Sequence, residues 1–186
     1  GRRYYQPFLG RRDHPLDFKR IWVVLDSALC YNPTMSRKNI VLIGFMGSGK
    51  SMVAKRLAKI LKRDAVSLDD LIEAKEGRPI KQIFVESGEA YFRDREKEAV
   101  QEVAGKESLV IDCGGGVVLN PQNIAKLKTN GILIYLSATA ETIYERVKSK
   151  DKRPLLNVKN PKSRINELFK ERKSLYAQAD HTVITD

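Results

Sequence analysis

From residue 39 onward the chain alternates short apolar runs with longer stretches in which apolar residues recur every three or four positions. Residues 39–44 (NIVLIG) form a β-branched run ending in glycine, the pattern of a buried strand. Residues 50–62 place Val53, Leu57, Ile60 and Leu61 at helical spacing, with Lys and Arg between them. A second strand is expected at 65–68, short helices at 70–76 and 79–86, and a longer Glu/Arg-rich helix at 88–104. The run LVID (109–112) reads as a third strand, closed by Gly114, Gly115 and Gly116. A helix at 121–129 leads through Gly131 to a fourth strand at 132–136. Helices at 139–149 and 162–178 flank a Lys/Arg/Pro/Asn-rich loop at 150–161, and HTVIT (181–185) ends the series as a fifth strand. Apolar strands alternating with amphipathic helices predict an α/β architecture, a five-stranded parallel sheet covered by helices on both faces in three layers. Right-handed crossovers are expected.

Residues 1–34 break this pattern. They carry two Arg pairs, scattered aromatics and three prolines, without a sustained period, and read as an extension outside the regular domain of residues 35–186. Met35-Ser36-Arg37-Lys38 resembles a natural start. The alternative is an N-terminal element packed on the core through IWVVL (21–25). That run falls far short of the roughly 18 apolar residues needed to cross a bilayer, and no membrane association is expected.

Composition refines the picture only in part. The chain has 186 residues, 42% hydrophobic, enough for one domain with a real core. Its formal net charge of +11 admits a nucleic-acid partner. Dispersed basic residues without a nucleic-acid-binding motif favour instead an enzyme for anionic small molecules. Two cysteines, Cys30 and Cys113, make neither a disulfide framework nor a metal cluster, so a reduced, cytoplasmic compartment is expected. No heptad pattern or spare apolar face argues against a monomer.

The most specific local signal is Gly44-Phe45-Met46-Gly47-Ser48-Gly49-Lys50-Ser51, a match to G-x-x-x-x-G-K-[ST] between an expected strand and an expected helix. In that context the glycines let successive N–H groups turn toward phosphate oxygens, and the helix N-terminus adds partial positive charge. Lys50 can reach the outer phosphates, and the Ser51 hydroxyl can bind Mg²⁺. Gly47, Ser48, Gly49, Lys50, Ser51 and Met52 are therefore the expected ATP contacts. The motif alone does not separate kinases from other nucleotide-hydrolysing proteins.

Later residues narrow the class. Ser67-Leu68-Asp69 with Glu73, Gly77-Arg78, Ile83-Phe84, Gly88-Glu89-x-x-Phe92-Arg93, Gly114–Gly116, Arg153-Pro154-Leu155-Leu156 and Arg172-x-x-x-Tyr176 follow the loop in order. Together they resemble the shikimate kinase family over residues 39–186. The resemblance implies a P-loop fold of the nucleoside-monophosphate-kinase kind, with a substrate-binding helical region and a mobile lid at about 148–161. It implies transfer of the ATP γ-phosphoryl group to the 3-hydroxyl of shikimate, in aromatic amino acid biosynthesis. The implied substrate contacts are Asp69, Arg93, Gly114, Gly115, Gly116 and Arg172. Asp69 would orient and deprotonate the attacking hydroxyl, Arg153 would cover the phosphates from the lid, and Arg146 would stack on adenine. Lys50, Asp69 and Arg153 are thus the expected catalytic residues. The residue types suit these roles, since Arg93 and Arg172 each offer the planar fork that matches a carboxylate. Alternatives stay open, with Asp69 as a helix cap and Arg93 in ion pairs with Glu89 or Glu96.

Two departures from the family pattern matter. The family commonly shows Asp-x-Asp at the second strand, the first Asp helping to organise Mg²⁺, and here that position is Ser67. Asp112, at the end of the third strand, stands where a small hydroxyl residue is usual, and is expected to join Ser51 in the metal shell. The chain also ends soon after the fifth strand, which puts adenine contacts in doubt. Competing readings are a kinase for another hydroxy acid such as gluconate, and a kinase-like binding protein with weakened turnover.

Overall fold

The computed structural model of the chain describes residues 37–148 and 160–186. In chain order it runs β1 (Asn39–Ile43), α1 (Lys50–Leu61), β2 (Ala65–Ser67), α2 (Leu68–Glu76), α3 (Ile80–Glu86), α4 (Gly88–Ala104), β3 (Val110–Asp112), a short 3-10 turn (Val117–Leu119), α5 (Pro121–Thr129), β4 (Gly131–Ser137), α6 (Ala140–Val147), α7 (Pro161–Tyr176) and β5 (His181–Ile184). The expected N-terminal extension with Cys30, Arg153 and nearly all of the expected lid lie outside the described residues.

The five strands form one parallel sheet in the order β2-β3-β1-β4-β5. All five residues of β1 are buried, so the strand reads as one apolar run without alternation. Its side chains still divide between two faces. Ile40 and Leu42 join Val53, Ala54, Leu57 and Ala58 of α1 on one side. Val41 and Ile43 join residues of α2 to α7, among them Ile72, Ile83, Phe92, Val103, Leu127, Ile143, Ile165 and Tyr176, on the other. These are the helices on both faces that the sequence pattern predicts.

This order carries a functional consequence. β1 lies between β3 and β4, so the chain winds first toward β2 and β3, then reverses toward β4 and β5. In open parallel sheets a ligand binds outside the carboxyl ends of the strands at such a reversal. Here the glycine-rich loop springs from the carboxyl end of β1, at that point.

One boundary moves for a clear reason. The second strand stops at Ser67 and α2 begins at Leu68, two residues before the expected start. Ser67 is extended, with φ −93° and ψ 125°, and its hydroxyl accepts a hydrogen bond from the Asp70 N–H at 3.1 Å. That is N-cap geometry. Capping by Ser67 also takes the capping role away from Asp69.

Candidate active site

The loop after β1 is shaped by its glycines. Gly47 and Gly49 have φ of 80° and 96°, in the left-handed region open to glycine at little cost. Gly49 is the N-cap of α1 and offers no side-chain oxygen to the first turn, so the N–H groups of that turn stay available to an anion. Lys50 folds back, its Nζ donating to the Phe45 carbonyl at 3.2 Å. The Ser48 side chain faces inward: fully buried, its Oγ has no hydrogen-bond partner among the described residues. Any Ser48 contact to a nucleotide is therefore through its backbone. Met52 is partly exposed on the next turn.

The far end of the chain braces this loop. Thr185, buried just past β5, donates from Oγ1 to the Ser48 carbonyl at 3.1 Å. Arg146, in the last turn of α6, donates to the Gly47 carbonyl at 3.4 Å and to the Thr185 carbonyl. Arg146 thus stands beside the glycine-rich loop.

Asp112, at the carboxyl end of β3, is buried beside the loop. Burial pushes its carboxyl above the usual range, against the opposing pull of Lys50 and a hydrogen bond from Ser51. Asp70 adds a like charge. The two residues expected to share a metal are therefore brought together. A hydroxyl and a carboxylate are hard oxygen donors, and Mg²⁺ is commonly held by one or two such groups with phosphates and water completing its shell. Among the described residues no cluster of three or more His, Cys, Asp or Glu offers a self-sufficient metal site. The donor set thus fits an ion that arrives with a nucleotide.

Opposite the loop, the substrate-side residues converge on Gly114–Gly116. A β-carbon on Gly116 would meet the Arg93 guanidinium at 2.4 Å. One on Gly114 would meet Asp69 Oδ1 at 2.9 Å and Glu96 Oε1 at 3.2 Å, and one on Gly115 the Met46 nitrogen at 3.2 Å. These glycines make room for charged side chains and for the phosphate loop, not for substrate alone. Arg93 pairs with Glu96 at 2.9 Å and with Glu89 at 2.8 Å, so the ion pairs weighed as an alternative are both present. Its fork also lies over the Phe92 ring.

Arg172 is buried on α7, its guanidinium over the Phe45 ring and its Nε without a hydrogen-bond partner among the described residues. A buried unpartnered donor is costly, which marks the group as one awaiting an acceptor. Glu96 is a site residue that the sequence motifs do not single out. It is almost fully buried, faces Arg93, Asp69 and Arg172, and burial raises its carboxyl above the usual range. Its i,i+3 spacing from Arg93 is the one local signal that points to it.

The arrangement sets the glycine-rich loop near two guanidinium forks, Arg93 and Arg172, and two carboxylates, Asp69 and Glu96. Likeness to known proteins concerns the chain as a whole. The family model "Shikimate kinase" matches residues 46–186. The chain belongs to the shikimate kinase family. It is 48% identical over 149 residues to the shikimate kinase of Persephonella marina, covering 80% of this chain and 90% of that one. It is 50% identical over 148 residues to that of Pelotomaculum thermopropionicum, covering 80% and 86%. Among solved structures, the shikimate kinase from Acinetobacter baumannii in complex with shikimate matches with a TM-score of 0.76 at 38% identity, over 78% of this chain and 82% of that one. As a shikimate kinase family member the chain is an ATP-dependent kinase acting on an alcohol group, and the P-loop fold expected from its sequence is the fold observed.

Proposed function

We propose that this chain transfers the γ-phosphoryl group of MgATP to the 3-hydroxyl of shikimate, with the residues assembled above in the roles their chemistry suits. The observation that carries this reading is the buried Arg172 with its unpartnered Nε, standing near Arg93 and Asp69 across from the phosphate loop.

The acceptor's carboxylate meets the forks of Arg172 and Arg93. Asp69 accepts a hydrogen bond from the attacking hydroxyl and takes its proton. The hydroxyl oxygen forms a bond to the γ-phosphorus as the bond from that phosphorus to the bridging oxygen of ADP breaks. Lys50 and the N–H groups of Gly47–Ser51 carry the charge of the phosphates. Positioning and charge neutralisation of this kind supply most of the catalysis in phosphoryl transfer. Ser51 and Asp112 would hold Mg²⁺, which when bound supplies charge neutralisation on the phosphate oxygens. Arg146 belongs to the nucleotide side by its place beside Gly47. For Arg153 the support is the resemblance of its motif alone.

A cytoplasmic setting suits the free, buried thiol of Cys113, and gel filtration tests the monomeric state. The activity is tested by coupled ADP release with shikimate, with gluconate and with no acceptor. Shikimate-dependent release is expected. Release driven by gluconate, or shikimate binding without release, would overturn the reading.

A further inference from the structure

Gly115 is where the substrate loop, the phosphate loop and α7 meet. A β-carbon there would lie 3.2 Å from the Met46 nitrogen and 3.6 Å from the Gly44 carbonyl oxygen, so its backbone rests on the phosphate loop. Its own carbonyl takes two donors from α7. Tyr176 Oη donates at 2.6 Å, whereas Arg172 Nη1 reaches it at 3.4 Å. The two residues are four apart and share a helix face.

The tyrosine is held firmly. It is fully buried, and its ring stacks on Tyr135 with centroids 4.9 Å apart and planes 9° from parallel. Tyr135 pairs in register with Ile43, the last residue before the phosphate loop. The hydroxyl's position is therefore set from the sheet. Burial raises the phenol far above its ordinary pKa, so Oη remains a donor at all working pH. Arg172 is held less completely: it hydrogen-bonds the Tyr176 hydroxyl, its contact to Gly115 is long, and its buried Nε has no partner among the described residues.

We propose that Tyr176 is a positioning residue, whose hydroxyl donates to the Gly115 carbonyl and accepts from Arg172, so that the Arg172 fork is held toward the acceptor's carboxylate instead of being drawn onto the Gly115 oxygen. The inference rests on the reading of Arg172 as a carboxylate contact. Without the hydroxyl, the Gly115 oxygen keeps only the long bond from Arg172. A half-buried carbonyl in that state draws its remaining donor closer, and the fork that should meet the carboxylate turns toward the backbone instead. The same tyrosine also fixes the Gly115 peptide against the phosphate loop, so one hydroxyl sets the spacing between donor and acceptor sides.

The test uses the full chain with Tyr176→Phe, which keeps the stacked ring and removes only Oη, beside Arg172→Lys. Dissociation constants are measured for shikimate and for its uncharged methyl ester, along with kcat, the KM for ATP and the melting temperature. In Tyr176→Phe, shikimate should bind about tenfold more weakly, the scale of one weakened charged hydrogen bond. The ester and ATP should change by less than about twofold, so the preference for acid over ester collapses. Arg172→Lys should lose the same preference. If Tyr176→Phe keeps the full preference while Arg172→Lys loses it, the positioning role is overturned and the Arg172 reading stands. If Arg172→Lys keeps it, both fall. Equal weakening of acid and ester with a lowered melting temperature would show general loosening and also overturn the proposal.

Discussion

Ser67 and Asp112 are register partners, side by side at the carboxyl ends of β2 and β3. The hydroxyl of Ser67 is engaged in capping α2, accepting from the Asp70 N–H. Asp112 takes a hydrogen bond from Ser51, the hydroxyl that follows the phosphate-loop lysine. The two side chains thus occupy adjacent places at the mouth of the nucleotide site, and only the one on β3 brings a carboxylate. Asp112→Asn should raise the Mg²⁺ concentration for half-maximal turnover by about tenfold or more, the scale of losing one charged partner. The exchange Ser67→Asp with Asp112→Ser should recover part of that loss, because Asp is itself a good N-cap and returns a carboxylate one strand away. Magnesium titration of ADP release, with calorimetry of Mg²⁺-dependent nucleotide binding, reads both effects. An unchanged Mg²⁺ dependence in Asp112→Asn would leave Asp112 with a local structural role.

Gly116 has no need of glycine for its own conformation, since its φ of −106° is open to any residue. A β-carbon there would lie 2.4 Å from the Arg93 guanidinium, so Arg93 would have to move. Gly116→Ala should therefore displace Arg93 and lower kcat/KM for shikimate by about 10²-fold, the cost of misplacing a positioning group by an ångström. The KM for ATP should hardly move. Steady-state kinetics with each substrate varied in turn tests this, and an equal loss on both substrates would point to a collapsed loop instead.

Glu96 makes a pH-dependent contribution to stability. It faces Arg93, Asp69 and Arg172, and burial outweighs the arginines, so its folded pKa lies above its unfolded value. A carboxyl raised in this way stabilises fully below the unfolded pKa, about 4.3. That contribution is lost as pH rises through the folded value. Glu96→Gln cannot ionise. Its melting temperature relative to the parent should therefore climb from below pH 4 to neutral pH, by about 2–4 °C for each 1 kcal/mol regained in a chain of this size. The same variant loses the charged hydrogen bond that orients the Arg93 fork, so the shikimate KM should rise while the relative melting temperature climbs with pH. Thermal melts across pH, paired with the shikimate KM, test the two directions together.

Much of the fold and of the phosphate side is legible in the sequence because it depends on local order. The strand–glycine–helix context of residues 39–62 specifies the phosphate loop, and the expected helix at 88–104 matches α4 at both ends, its buried residues Phe92, Glu96, Ala99, Val100 and Val103 recurring at helical spacing. Arg93 and Arg172 can be named from their motifs. Their difference cannot: Arg93 is held by two carboxylates, whereas Arg172 is buried with an open donor, and burial is decided by packing of α7 on Phe45. What Glu96 and Tyr176 do in the fold is hidden for the same reason. A Glu in a charged helix looks solvated until the fold covers it, and the partner of the Tyr176 hydroxyl lies 61 residues away. The strand order, and with it the neighbouring of Ser67 and Asp112, likewise depends on long-range pairing that no local pattern encodes.

Thr185 links the end of the sheet to the nucleotide side. It is buried, its Oγ1 lies 3.1 Å from both the Ser48 and Ser137 carbonyls, and its own carbonyl accepts from Arg146. Thr185→Val preserves shape and removes only the hydroxyl. Ser137 keeps its bond from the Thr185 N–H at 2.7 Å, so the loss falls on the Ser48 carbonyl inside the phosphate loop. An unsatisfied buried carbonyl costs about 1–3 kcal/mol, and here the strain enters the loop that must hold the phosphates. The KM for ATP should rise several-fold while the shikimate dissociation constant stays level, because Gly115 and Arg172 lie on the other side of the loop. Calorimetry with each ligand separates the two. Weakened shikimate binding of equal size would mean that the phosphate loop and the acceptor site respond as one unit, and would remove Thr185 from the nucleotide side alone.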